Sequence, residues 1–217
     1  MNKEDILELV KKYVKNACEK DCTGHDWYHI QRVHNNAILI NDKENADEFI
    51  IEMIVFLHDL YDHKFYKGDT EKKIKELFDE LKISKHMSQN DIDNIAYSCA
   101  NLGFASNITG KKKLSKEGMI AQDADRLDGM GAMGISRTFT YSGNKKTPVY
   151  IPDEIQEVDP EEYKINGSKT AIGHFYDKLL KMKNMMNTET AKKIANHRHE
   201  FMENFLQEFL DEWNGRI

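Results

Sequence analysis

Two residues at the end of the most apolar stretch of the chain, His58 and Asp59 in VFLHDL, set the first question. A histidine and a carboxylate in such surroundings are costly to bury unless they pair with each other or share a cation. A core histidine bonded to a helix-terminal carboxylate is the plain reading, and a divalent metal held by imidazole and carboxylate is the other. Two further segments carry suitable groups. GHDWYHIQRV puts His29 on one helical face with Arg32 and Val33, three and four residues on. QDADRLDGMGAMG places Asp123, Asp125 and Asp128 among small and apolar residues, with Asp125 and Asp128 sharing a face. Two histidines and two carboxylates from three helices form a nitrogen and oxygen set with room for water. That set suits Mn, Fe, Co, Ni or Zn better than Ca.

The elements that must position these residues read as helices throughout, so the expected fold is all-α with one domain over residues 1–217. Ile6, Leu7, Val10, Tyr13, Val14 and Ala17 form one apolar stripe. A second helix starts after Gly24 with Asp26 as its cap and runs through His29, Val33, Ala37 and Ile40. A third spans about Ala46 to Leu60 and is apolar nearly all round, which places it in the core. Others are expected from about Asp69 to Leu81, from Ser88 to Leu102, and from near Ser115 to Asp128. The last continues or kinks at Gly129 and Gly131 into a stretch ending near Tyr141. Two more cover about Ser168 to Met185 and Thr188 to Trp213. Residues 142–166 hold all three prolines and lack a helical stripe. They read as an insertion, either solvated or serving as a lid or subunit contact.

The composition narrows the partners. A formal charge of −6 argues against a nucleic-acid polymer, whose phosphates demand surplus Lys and Arg, but leaves room for a small phosphorylated ligand. Three cysteines, Cys18, Cys22 and Cys99, without a completing ligand pair read as free thiols in a reducing compartment. The amphipathic start MNKEDILELVKKYV is unlike a signal peptide, and no run approaches the ~18 apolar residues of a membrane span. A cytoplasmic protein with no membrane partner is expected; a homodimer stays open.

Four long stretches carry a family resemblance: GHDWYHIQRV, HDLYDHKF, QDADRLDGMGAMGISRTFTYSG and HFYDKLLKMKNMMNTETAKKIANHRHEFMENFLQEF. Over almost the whole chain the sequence resembles the HD superfamily of metal-dependent phosphohydrolases, in its bacterial nucleotide-pyrophosphohydrolase-like branch. The resemblance implies an HD-type helical bundle and chooses between the two His-Asp doublets, His25-Asp26 and His58-Asp59. The implied ligands are His29, His58, Asp59 and Asp125, with Asp128 in support. They would hold one divalent ion, Mn²⁺ first and Mg, Fe, Co, Ni or Zn as alternatives. Asp62 falls where related enzymes hold an acid near the metal water, so it is the expected general acid or base; a helix-end charge is the plain alternative.

Phosphate needs cations. Lys64, Arg32, Arg137 and the i,i+4 pair His174 and Lys178 are the candidates, each of which could equally be a surface ion. The activity implied is hydrolysis of a nucleotide, a (deoxy)nucleoside triphosphate giving monophosphate and pyrophosphate. A 5′-nucleotidase, a phosphodiesterase, or a helical sensor that binds nucleotide or metal without turnover are the rivals.

Overall fold

The computed structural model describes residues 1–18, 26–61, 66–103, 112–152 and 167–217. Among them every regular element is helical. Contacts divide the chain into two compact units, Met1–Ala124 and Asp125–Ile217.

The first unit is built from α1 (Lys3–Cys18), α2 (Trp27–Glu44), α3 (Glu48–Leu57), α4 (Thr70–Glu80), α5 (Gln89–Asn101) and most of α6 (Lys116–Asp128), with a 3₁₀ turn at Ser84–His86. Capping chemistry fixes several of the starts. Asp26 accepts from the His29 amide at 2.8 Å, Asp47 from Ile50, Asp69 from Lys72, and Ser88 from Asp91. Ser115 Oγ accepts from the Gly118 amide at the start of α6. Asn45, left-handed at φ 55°, ends α2 and returns its amide to the Asn41 carbonyl. Helix α3 is the hub, packed on α1, α2 and α5, while α4 lies on α5. Phe49 to Leu57 are all buried except Glu52, as an all-round apolar helix must be. This helix stops at Leu57 rather than Leu60, because His58 closes it in a way described below.

The second unit holds the last turn of α6, then α7 (Gly131–Lys145), α8 (Ala171–Asp177), a 3₁₀ stretch at Leu179–Met185 and α9 (Glu189–Trp213). The expected break falls between α6 and α7, where Gly131 takes φ +65°. Helix α7 continues to Lys145, beyond the expected end near Tyr141, and stops at the left-handed Lys146. So the first residues of the 142–166 segment are helical; residues 153–166 lie outside the described part. Pro148 and Val149 carbonyls accept from the Ala171 and Ile172 amides, satisfying two orphan donors at the start of α8. The single helix expected from Ser168 to Met185 is instead broken at Lys178. No breaker residue marks the spot. Leu179 and Met182 are both buried, and a 3₁₀ stretch aligns residues three apart on one face. An aromatic core of Phe139, Phe175 and Phe205 joins α7, α8 and α9. No helix of the described residues is long and apolar enough to cross a membrane.

Candidate metal centre

His29 is the third residue of α2, and the Asp26 cap on its own amide holds the first turn that carries it. Its side chain is 1% exposed. His58 stands where α3 ends, and its Nδ1 lies 2.7 Å from the Val55 carbonyl. A carbonyl only accepts, so Nδ1 carries the proton; the ring thereby caps one of the orphan acceptors of α3. The consequence for a neutral ring is a defined tautomer: the lone pair is on Nε2, as a metal-ligating histidine needs.

The two rings meet edge to face, 5.5 Å between centroids. Asp59 straddles them, with Oδ2 3.3 Å from His29 Nε2 and Oδ1 3.4 Å from His58 Nε2. Helix α6 runs on unbroken past Ala124, so Asp125 is the next residue along the same rod. His29, His58 and Asp125 each offer a ligand atom, and these atoms lie within 4.8 Å of one another. The donor set passes a simple test of fit. Ligand atoms about 2.1 Å from a shared first-row ion lie roughly 3.0–3.4 Å apart on adjacent vertices. The two imidazole–Asp59 pairs, at 3.3 and 3.4 Å, have that spacing, and Asp125 brings its carboxylate within 4.8 Å of both rings.

Cys99, on α5, could have been a softer rival. Burial pushes its thiol well above the ordinary value, and the negative charge of Asp59 adds to the push. Its Sγ donates to the Ile54 carbonyl at 3.8 Å. It is therefore a thiol at neutral pH, not a thiolate ligand. Iodoacetamide labelling followed by peptide mapping should modify Cys99 only after unfolding; rapid labelling in the native protein would contradict this placement.

The other expected site residues divide. Asp62 and Lys64 lie outside the described residues, as does His25. Arg32 is half-buried on α2, one turn from His29. Arg137 donates to the Asp128 carboxylate at 2.6 Å, and Asp128 is 1% exposed. Asp128 is thus tied to α7 and anchors the last turn of α6, while Arg198 donates to the Leu127 carbonyl beside it. His174 lies on α8, and Lys178 caps that helix, its amide donating to the His174 carbonyl. Burial depresses the His174 pKa to about 3, and the Lys178 charge adds to the effect. His174 is therefore neutral at pH 7, and Ser168 Oγ lies 3.1 Å from its Nδ1. His34, further along α2, pairs with Glu52 at 2.8 Å and stacks on Phe56.

The His174 shift carries a sign for stability. Its folded pKa lies below the unfolded value near 6.5, so the unfolded chain binds the extra proton between those limits. Stability is full above about pH 6.5 and falls as pH drops towards 3, by up to about 1.4 kcal/mol per pH unit. Urea unfolding at pH 5.0 and 7.5 should show a smaller acid loss for His174→Asn than for the parent. Equal losses would remove His174 from the account.

Sequence reasoning missed Asn36. It is buried on α2, and its Nδ2 donates to the Ala124 carbonyl at 3.2 Å. The available signal was an amide at helical spacing with Val33, Ala37 and Ile40, seven residues from His29 and so on its face.

No family model matches the chain. Bacillus subtilis YpgQ is 34% identical over 203 residues, covering 93% of this chain and 90% of YpgQ. A crystal structure of an HD-superfamily hydrolase from Bacillus thuringiensis is 38% identical, covers 98% of this chain and 99% of its own, and superposes with a TM-score of 0.72. The chain belongs to the HD superfamily of hydrolases. A Lactobacillus plantarum structure, 33% identical, reaches a TM-score of 0.83 over 99% of this chain and 100% of its own. YpgQ in complex with ADP, at 32% identity, gives 0.74 over 98% of this chain and 96% of its own. As an HD-superfamily member the protein is a metal-dependent phosphohydrolase with the all-helical HD fold.

Proposed function

We propose that this HD phosphohydrolase acts on nucleotides, and that its substrate is a nucleoside or deoxynucleoside triphosphate cut at the α-phosphorus to monophosphate and pyrophosphate. The observation that carries the nucleotide reading is the ADP bound by YpgQ, a relative that aligns with nearly the whole chain. An acidic chain with a small, deep ligand cluster favours a compact substrate over a polymer.

In this reading His29, His58, Asp59 and Asp125 hold one divalent ion, Mn²⁺ by preference. When bound, the ion supplies Lewis acidity at phosphorus and makes water easier to deprotonate. The protein's own groups do the rest. Asp62 takes the proton from the attacking water or delivers one to the departing oxygen. Asp26 and Val55, through the His29 amide and the His58 ring, keep the two imidazoles in place before substrate arrives. Arg32, Lys64 and Lys178 bring positive charge to the phosphates. Arg137, paired with Asp128, adds its positive charge near the phosphates. His174, being neutral, gives a hydrogen bond rather than charge.

The test is a nucleotide panel with Mn²⁺-loaded protein, in which phosphate and pyrophosphate are assayed separately. Pyrophosphate release from triphosphates supports the proposal. Phosphate from monophosphates would make the enzyme a 5′-nucleotidase, and cleavage of diesters alone a phosphodiesterase. Metal-loaded protein inert to every phosphate compound would favour a sensor.

A further inference from the structure

We propose that Asn36 is a positioning residue of the metal centre, whose side-chain amide grips the peptide unit that presents Asp125. The proposal rests on the reading of Asp125 as a ligand. It starts from an anomaly of burial. Asn36 is held among Val33, Ala37 and Ile40, where a leucine would pack without desolvating an amide. A buried amide persists where it is hydrogen-bonded, and here Nδ2 donates to the Ala124 carbonyl 88 residues away. That carbonyl has two lone pairs; one serves α6 and the other takes Asn36.

The choice of acceptor is what gives the bond a functional meaning. The Ala124 carbonyl and the Asp125 amide nitrogen belong to one planar peptide group. Fixing that group fixes the rotation and the height of α6 at Asp125. A slip of one residue would turn the carboxylate by about 100° and move it about 1.5 Å. A ligand constellation works only when held to roughly 0.5 Å. His29 and Asn36 are seven residues apart on α2, two turns along one face. One rigid helix thus carries a ligand of the centre and the clamp for another. Nearby, Gln122 Nε2 donates to the Leu102 carbonyl and steadies the same stretch from the side of α5.

The experiment is calorimetric titration of chelator-treated full-length protein with Mn²⁺. The variants are Asn36→Leu, which keeps bulk and loses the donor, and Val33→Ala, which loosens α2 without touching Ala124. Asn36→Leu should weaken Mn²⁺ binding about 10- to 100-fold, the range seen when a ligand's supporting partner is removed. At saturating Mn²⁺ its kcat should fall more than its KM changes. Val33→Ala should lower the melting temperature and leave the Mn²⁺ affinity within about twofold. Should leucine prevent folding, Asn36→Ser is read by the same titration. Parental Mn²⁺ affinity in the Asn36 variant, or an equal weakening in Val33→Ala, would overturn the positioning role. A parent protein that binds no Mn²⁺ would instead overturn the ligand reading on which it rests.

Discussion

His58→Ala should lose bound metal and turnover together while keeping most of its helical signal. The ring performs two tasks that alanine cannot. Its Nε2 lies 3.4 Å from Asp59 Oδ1, and the ring offers a ligand atom within 4.8 Å of those of His29 and Asp125. Its Nδ1 donates to the Val55 carbonyl and closes α3. Removing a supporting partner of a ligand costs about 10- to 100-fold in affinity, so removing the ligand should cost at least about 100-fold. The lost cap adds roughly 1 kcal/mol of destabilisation. That is small beside the burial of Phe49 to Leu57, so far-UV circular dichroism should remain close to the parent. Asp59→Ala should behave alike in metal content and rate, since its two oxygens serve both rings. His34→Ala is the matched control: that ring pairs with Glu52 and stacks on Phe56, so metal content and kcat should be retained. Normal turnover in His58→Ala or Asp59→Ala would show that the centre lies elsewhere.

Asp62→Asn should separate metal from rate. The amide is nearly the same size as the carboxylate but cannot take up a proton. Metal stoichiometry, measured by mass spectrometry under native conditions, should match the parent. The kcat should fall by about 10²- to 10⁴-fold, the usual worth of a positioned general acid or base. Full activity would take Asp62 out of the catalytic account.

Much of this was legible in the chain because it is local chemistry. Asp26, Ser88 and Thr188 were readable as helix starts, and each accepts from the amide three residues on. The burial of α3 followed from FIIEMIVFL, which leaves no polar face to show to water. The family pattern implied His29 with His58-Asp59, and the fold puts Asp59 3.3 Å from His29 and 3.4 Å from His58. What escaped was set by partners far along the chain. Arg137 reads as a free cation in GISRTF until Asp128, nine residues back across the α6–α7 break, is seen to hold it. The Asn36 bond to Ala124 spans 88 residues and leaves no short motif. His174 looks like half of a cationic pair, and only tertiary burial makes it neutral. The break at Lys178 has no glycine or proline to announce it.

The most direct test is hydrolysis of a deoxynucleoside triphosphate by the Mn²⁺-loaded protein in ¹⁸O-enriched water, followed by ³¹P NMR of the products. Attack at the α-phosphorus predicts ¹⁸O in the monophosphate, unlabelled pyrophosphate, and neither product with His58→Ala. Label in the pyrophosphate, or the same turnover with His58→Ala, would contradict it.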